Sequence, residues 1–553
     1  MRLAQITLLL ATGVGLAACE VTPPVRVLRP TRGLFQEIRE AVGTDALFGE
    51  RTGLTYAGVR VYPGPDDGTG AMGEGVERPL TLSLKPTGAF LLSVGTEEAA
   101  AAQGFDGRAA WTLDPRGVSR ELGLGAREYL LADGWLRTFL WLTPGDERFT
   151  ITPVEPTGGA TTIELRLERV GEPLEATLVV DAASRRPLSY SMTRNARVRE
   201  VRFADWRVED GVWFPHEMTE TVDGSIVHVD RFARRTRGTP RTFGTPRSLP
   251  TDTSFDETAA GGRGKPVEAR VDQGGRFYVR ARIDDHEEAW MLLDTGFSSH
   301  AIHVELAETL ELATGSVAQL QGVSGGGAGR WTEATTLAVG PLTQSRPRLV
   351  TVDTSFLSAR AGFEVAGILG APLFERAVVT LDEPRGRVTL HDPRGFERRG
   401  LRWVPLQQDG SSPCIGGQLT KEGRVSRTLW FRIDTGSDDT ITIAEWASRE
   451  FDLVGDRAQL RATRLEGAFG TVLGWRSTLE AIVLGNPTPA SAGGSIAPGD
   501  EASLILQRPE VTLLRSSAPG PLSDPWIAGN LGTRGLRGCS VVLDVSAGRI
   551  AFQ

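Results

Sequence analysis

Of the 553 residues only three are cysteine, at positions 19, 414 and 539. That excludes a small fold stapled by several disulfides. Away from the N-terminus a single bridge between Cys414 and Cys539, or two free thiols, are both open. Histidine is nearly as scarce, with six residues, and of these only His300 and His303 are spaced to share a helix face. No further ligand stands at a recognised metal-site spacing, so neither a metal nor another cofactor is expected. Positive charge is not in surplus: 61 Lys and Arg face 69 Asp and Glu, for a net charge of −8. Such a chain lacks the basic footprint of a nucleic-acid binder. Beyond the N-terminal leader no apolar run reaches the roughly 18 residues that would span a bilayer.

Glycine and proline are abundant instead, at 66 and 32 residues. They punctuate short β-branched runs, which predicts a mainly β chain. The leader has Arg2, then an apolar stretch from Leu3 to Val14, too short for a membrane helix. It ends in Leu16-Ala17-Ala18-Cys19. This resembles the lipobox of bacterial lipoproteins, in which the cysteine is lipidated and becomes the mature N-terminus. The resemblance implies a signal peptide over 1–19 and membrane attachment through Cys19. Glu20 in the following position implies the outer membrane of a cell envelope.

From Leu80 to Val229 strand-like runs alternate with turns: Leu80–Leu84, Phe90–Val94, Thr161–Glu168, Leu174–Asp181, Leu188–Met192 and Val198–Trp206. Gly104-Phe105-Asp106-Gly107 with Ala110-Trp111, Ala176–Asp181, and Asp210-Gly211-Val212-Trp213-Phe214-Pro215 together resemble the LolA/LolB-like lipoprotein-carrier superfamily. The resemblance implies a curved antiparallel sheet over 20–235 that wraps an apolar cavity, with a lipid or lipoprotein as a possible ligand. Residues 236–266 lose periodicity and read as an exposed linker.

The C-terminal half repeats itself. Ala366-Gly367-Ile368-Leu369-Gly370 precedes Asp382 as Ala528-Gly529-Asn530-Leu531-Gly532 precedes Asp544; the Ala-to-Asp spacing is 16 in both. Gly322 to Gly340 and Gly467 to Gly485 are each separated by 18. Each copy opens on an apolar run ending in Asp-Thr-Gly: Trp290 to Asp294-Thr295-Gly296, and Leu429 to Asp434-Thr435-Gly436. One such tripeptide is a weak signal, but two in register inside a repeat are strong.

This order resembles the pepsin-like and retropepsin-like aspartic proteases from Val267 onward. The resemblance implies a bilobal pair of β-barrels, with lobe one over 267–395 and lobe two over 396–553. It implies Asp294 and Asp434 as the catalytic pair, with Thr295 and Thr435 interlocking the loops. Two facing carboxylates cannot both ionise easily and share a proton, so one can act as base on a water and the other as acid. Gly296 and Gly436 would let the backbone approach them. Ile368-Leu369-Gly370 would pack behind the first loop, and Asn530 departs from the family's apolar preference. Ser437, where lobe one has Phe297, would donate to Asp434 and make it the more readily ionised partner, against the nearby charge of Asp438 and Asp439.

The Gly-rich stretch with Gly322, Ser324, Gly325 and Gly326 is the flap candidate, matched in lobe two by Glu466–Thr471. It also fits Gly-x-Ser-x-Gly, but a nucleophile elbow needs a helix directly after the serine, and a Gly/Ala run follows. The expected activity is an aspartic endopeptidase acting on a peptide or protein substrate. The alternative is an inactive protease fold that binds lipid, lipoprotein or peptide.

Overall fold

A computed structural model describes residues 32–553 except 50–52, 64–74, 97–99, 144–147, 155–160, 196, 240–242, 247–249, 258–259, 323–324, 398–399, 456–459, 468–469, 486–503 and 516–519. Cys19 and Ser324 lie outside the described residues. The protein is mainly β, built as one large antiparallel sheet followed by two related lobes.

The first sheet has 13 strands. Alternation sets its faces: along Thr162–Arg169, Leu165 and Leu167 point inward while Glu164, Arg166 and Glu168 point out. Its first strand, Leu54–Tyr62, pairs with Val76–Leu84 on one side and with the last strand, Ser225–Arg237, on the other. Two meanders therefore meet in the middle. A helix, Leu124–Thr138, carries the chain between the outer strands Ser119–Leu122 and Phe149–Pro153.

The strand pattern did not show this helix. Leu130, Leu131, Trp135 and Leu136 pack into the same core as Leu80, Leu82 and Leu84 of the sheet. Gly134 is required at the contact, since a Cβ there would lie 2.1 Å from the Phe90 ring. The buried Arg137 finds Glu220 at 2.8 Å and Asp230 at 3.2 Å, which compensates a charge that would otherwise be costly to enclose. The face where an apolar ligand was expected is thus covered by the chain's own helix.

Residues 236–266 are not a bare linker. Thr253–Phe255 pairs with Leu342–Ser345, and Lys265–Val267 pairs with Arg387–His391. The segment is stitched into both lobe sheets.

The lobes share one apolar core, which runs from Phe277 and Val279 to Leu543 and Ile550. They also share a sheet: Val378–Asp382 of lobe one pairs with Ser540–Asp544 at the far end of lobe two. The first sheet docks on both lobes. Arg120 donates to Glu375 Oε2 at 2.7 Å, Ala126 N to Asp409 Oδ1 at 2.9 Å, and Trp526 Nε1 to Glu172 Oε2 at 2.8 Å. Arg194 bridges Asp409 and Asp524. Cys414 is a buried free thiol and Cys539 a partly exposed one, so the open choice resolves to thiols.

Candidate active site

The sequence repeat becomes a repeat of hydrogen bonds. Ala289–Leu293 runs parallel to Gly367–Leu369, and Leu429–Ile433 runs parallel to Gly529–Leu531. Asp294 N donates to Leu369 O at 3.0 Å, and Asp434 N to Leu531 O at 2.9 Å. The Ile-Leu-Gly element does pack behind the first loop. Gly370 has no room for a side chain, because a Cβ would sit 1.9 Å from Ser299 O.

The two Asp-Thr-Gly loops face each other across the lobe boundary. Thr295 N donates to Thr435 Oγ1 at 3.0 Å, and Thr435 N to Thr295 Oγ1 at 3.1 Å. Each hydroxyl then donates across the boundary, Thr295 to Ile433 O at 2.6 Å and Thr435 to Leu293 O at 2.8 Å. Each carboxylate lies against the other lobe's glycine. A Cβ on Gly436 would meet Asp294 Cγ at 2.4 Å, and one on Gly296 would meet Asp434 Oδ1 at 2.7 Å.

Gly296 N donates to Asp294 Oδ1 at 2.7 Å. Burial raises Asp294 first, and the neighbouring Asp434 charge adds to it, to about 7. Asp434 is also raised by burial, but the Arg432 guanidinium, the N–H groups of Gly436 and Ser437, and the proton on Asp294 all oppose the rise. Of the two, Asp294 is the one pushed further up and so the one that keeps its proton to higher pH.

Ser437 does not play its expected part. Its Oγ accepts from Asp439 N at 3.4 Å, while Asp434 Oδ2 accepts from Asn530 Nδ2 at 2.8 Å. The residue that broke the apolar pattern is therefore a direct partner of the carboxylate. Asp439 is neutralised by Arg476 at 2.7 Å and receives Thr442 at 2.8 Å. Reading the two apolar runs against each other would have exposed Arg432, a cation where lobe one has Leu292.

The aspartates form the floor of a cleft of about 500 Å³. Above it stand two hairpins of matching design. Thr314–Gly322 pairs with Gly325–Glu333, and Arg461–Gly467 pairs with Gly470–Thr478. Gly322 reaches the cleft from the first, and Leu465, Glu466 and Gly467 from the second. Gly325 and Gly326 follow the first turn. Glu466 Oε2 accepts from Arg360 of lobe one at 2.9 Å, tying the second hairpin across the cleft.

His300 and His303 lie on a strand, not a helix, and point to separate partners, Gln344 at 3.1 Å and Thr354 at 3.0 Å. Among the described residues no group of three or more His, Cys, Asp or Glu is placed to hold a metal ion.

Residues 279–373 match a family model described as aspartyl protease. No curated protein matches the chain. The chain is similar to many solved structures, three of them as follows. An aspartic proteinase from Irpex lacteus is 16% identical, with 52% of this chain and 96% of that chain covered and a TM-score of 0.34. A LolA superfamily protein from Nitrosomonas europaea is 14% identical, with coverage of 37% and 94% and a TM-score of 0.28. A retropepsin-like aspartic protease from Rickettsia conorii is 18% identical, with coverage of 25% and 92% and a TM-score of 0.17.

Proposed function

We propose that the protein is an aspartic endopeptidase in which Asp294 and Asp434 hydrolyse peptide bonds by acid–base activation of a water. The observation that carries this is the facing pair of carboxyls at the cleft floor, each seated on the other lobe's glycine. A water between them loses a proton to ionised Asp434, and its oxygen attacks the scissile carbonyl carbon. Asp294 gives its proton to the carbonyl oxygen. The tetrahedral diol then collapses: the C–N bond breaks and the amine nitrogen takes the proton held by Asp434, while a hydroxyl returns its proton to Asp294. An extended peptide lies between the two hairpins and bonds to their backbone.

The N-terminal sheet, docked on both lobes, would hold the cleft at a fixed orientation to the envelope, with Cys19 as the lipid anchor at the outer membrane. A lipid or lipoprotein ligand of this sheet would have to displace the helix Leu124–Thr138. The test is cleavage of fluorescein-labelled casein by the full chain between about pH 3 and 8. D294N and D434N should each abolish it, and a statine, whose hydroxyl replaces the attacking water, should compete. A parent chain that neither cleaves nor binds a statine would overturn the reading in favour of a binding protein.

A further inference from the structure

The twofold relation between the lobes breaks at one pair of positions beside the carboxylates. In lobe one, Leu292 and Ile368 are register partners on neighbouring parallel strands. The same register in lobe two aligns Arg432 with Asn530. All four side chains line the cleft. Asp294 therefore stands beside an apolar pair, and Asp434 beside a cation and an amide.

Neither polar side chain is a solvated bystander. Asn530 is 2% exposed and Arg432 is 5% exposed. Arg432 Nη2 is held by Gly296 O at 3.0 Å and Ser412 Oγ at 2.9 Å, both neutral acceptors. Its charge is thus not cancelled by a dedicated carboxylate, and it acts on the pair above. Asn530 gives Nδ2 to Asp434 Oδ2, and its Oδ1 is buried with no protein partner. Turning the amide over would set that oxygen against the carboxylate, so the carboxylate fixes its orientation.

The other charges around the cleft cancel or stand off. Arg476 pairs with Asp439, and Arg360 with Glu466. Arg276 pairs with Asp272 and also faces Asp438. Arg464 and Arg534 are exposed on the cleft lining.

We propose that the Arg432–Asn530 pair is the device that tells the two aspartates apart, holding Asp434 as the ionised base and leaving the proton on Asp294. Both are positioning residues: Asn530 acts through its hydrogen bond to Asp434, while Arg432 lowers both carboxyls and is the foremost group opposing the rise of Asp434. A donor and a cation stabilise the charged form, and an apolar wall favours the neutral one. The catalytic consequence rests on the peptidase reading; the proton's location does not.

N530I gives lobe two the residue of lobe one. On labelled casein it should raise the acid limb of kcat/KM by about one pH unit, cutting kcat about tenfold on that limb with KM little changed. R432L/N530I should move it further. A purely structural role would lower activity at every pH and leave the limb in place. Infrared titration of the D294N background decides the point without turnover. The protonated-carboxyl band of the remaining Asp434 should appear at higher pH in D294N/N530I than in D294N. Coincident titrations would overturn the proposal even if the parent cleaves casein. A parent without cleavage or statine binding, but with separated titrations, would sink the peptidase reading and keep this one.

Discussion

Thr295 and Thr435 each accept the other's backbone N–H and each donate to a carbonyl beyond the other, so four hydrogen bonds cross the lobe boundary between two buried side chains. Removing one hydroxyl strands an N–H and a carbonyl in a dry interface, at about 1–3 kcal/mol per group. T295A and T435A should each destabilise the protein by about 2–4 kcal/mol in urea unfolding, and T295S should restore most of the loss. A T295A midpoint equal to the parent's would show that the exchange contributes nothing.

The aspartates should leave a mark on stability as well as on activity. Asp294 is raised in the folded state to about 7. A raised carboxyl binds its proton more tightly folded than unfolded, so its contribution is present below the unfolded value and is lost as pH rises through the folded one. Between about pH 4 and 7 the parent should lose melting temperature from this group as pH rises. D294N, which is neutral throughout, should lack that slope and melt higher than the parent at pH 8. Parallel profiles for the two would contradict the raised value.

The dock between the first sheet and the lobes should depend on Arg194. Its partner Asp524 is almost wholly enclosed, with its side chain 1% exposed. Removing the cation leaves that carboxylate unpaired, at about 3–5 kcal/mol. R194A should therefore melt earlier and be cut by trypsin between the sheet and the lobes, around residues 236–252. R194A/D524N should recover part of the loss. Equal proteolysis of parent and R194A would mean the dock holds without this contact.

Anchoring is tested at the other end of the chain. The proposed anchor predicts that the parent sediments with membranes after a salt wash and that C19S stays in the soluble fraction. Retention of C19S in the pellet would remove lipidation at this residue from the account.

The dyad was legible because a duplicated motif carries its own control: equal spacings of 16 and 18 in both copies made chance unlikely. The outward strands were legible where one face meets water, as in Glu175–Asp181, with Ala176, Leu178 and Val180 inside. The helix Leu124–Thr138 was not. Twelve of its 15 residues are buried, so it presents no wet stripe and has no amphipathic period to read. Its Asp133 and Arg137 suggest a surface until Arg199, Glu220 and Asp230 are seen beside them. Asn530 was visible only as a flaw in a pattern. Its meaning depends on the parallel register that sets it beside Arg432 and under Asp434, a relation between residues far apart in the chain.

The strand Ser540–Asp544 supplies the neighbour of Val378–Asp382, and Arg549–Phe552 pairs in turn with Ser540–Asp544 and Trp403–Asp409. During synthesis, lobe one is made long before this neighbour exists. Until residues 540–552 arrive, one edge of its sheet stays open and the second aspartate has no finished support. Assembly of the cleft therefore waits for residues 540–552. A chain that stops short of residues 540–552 carries both Asp-Thr-Gly loops on an unfinished scaffold.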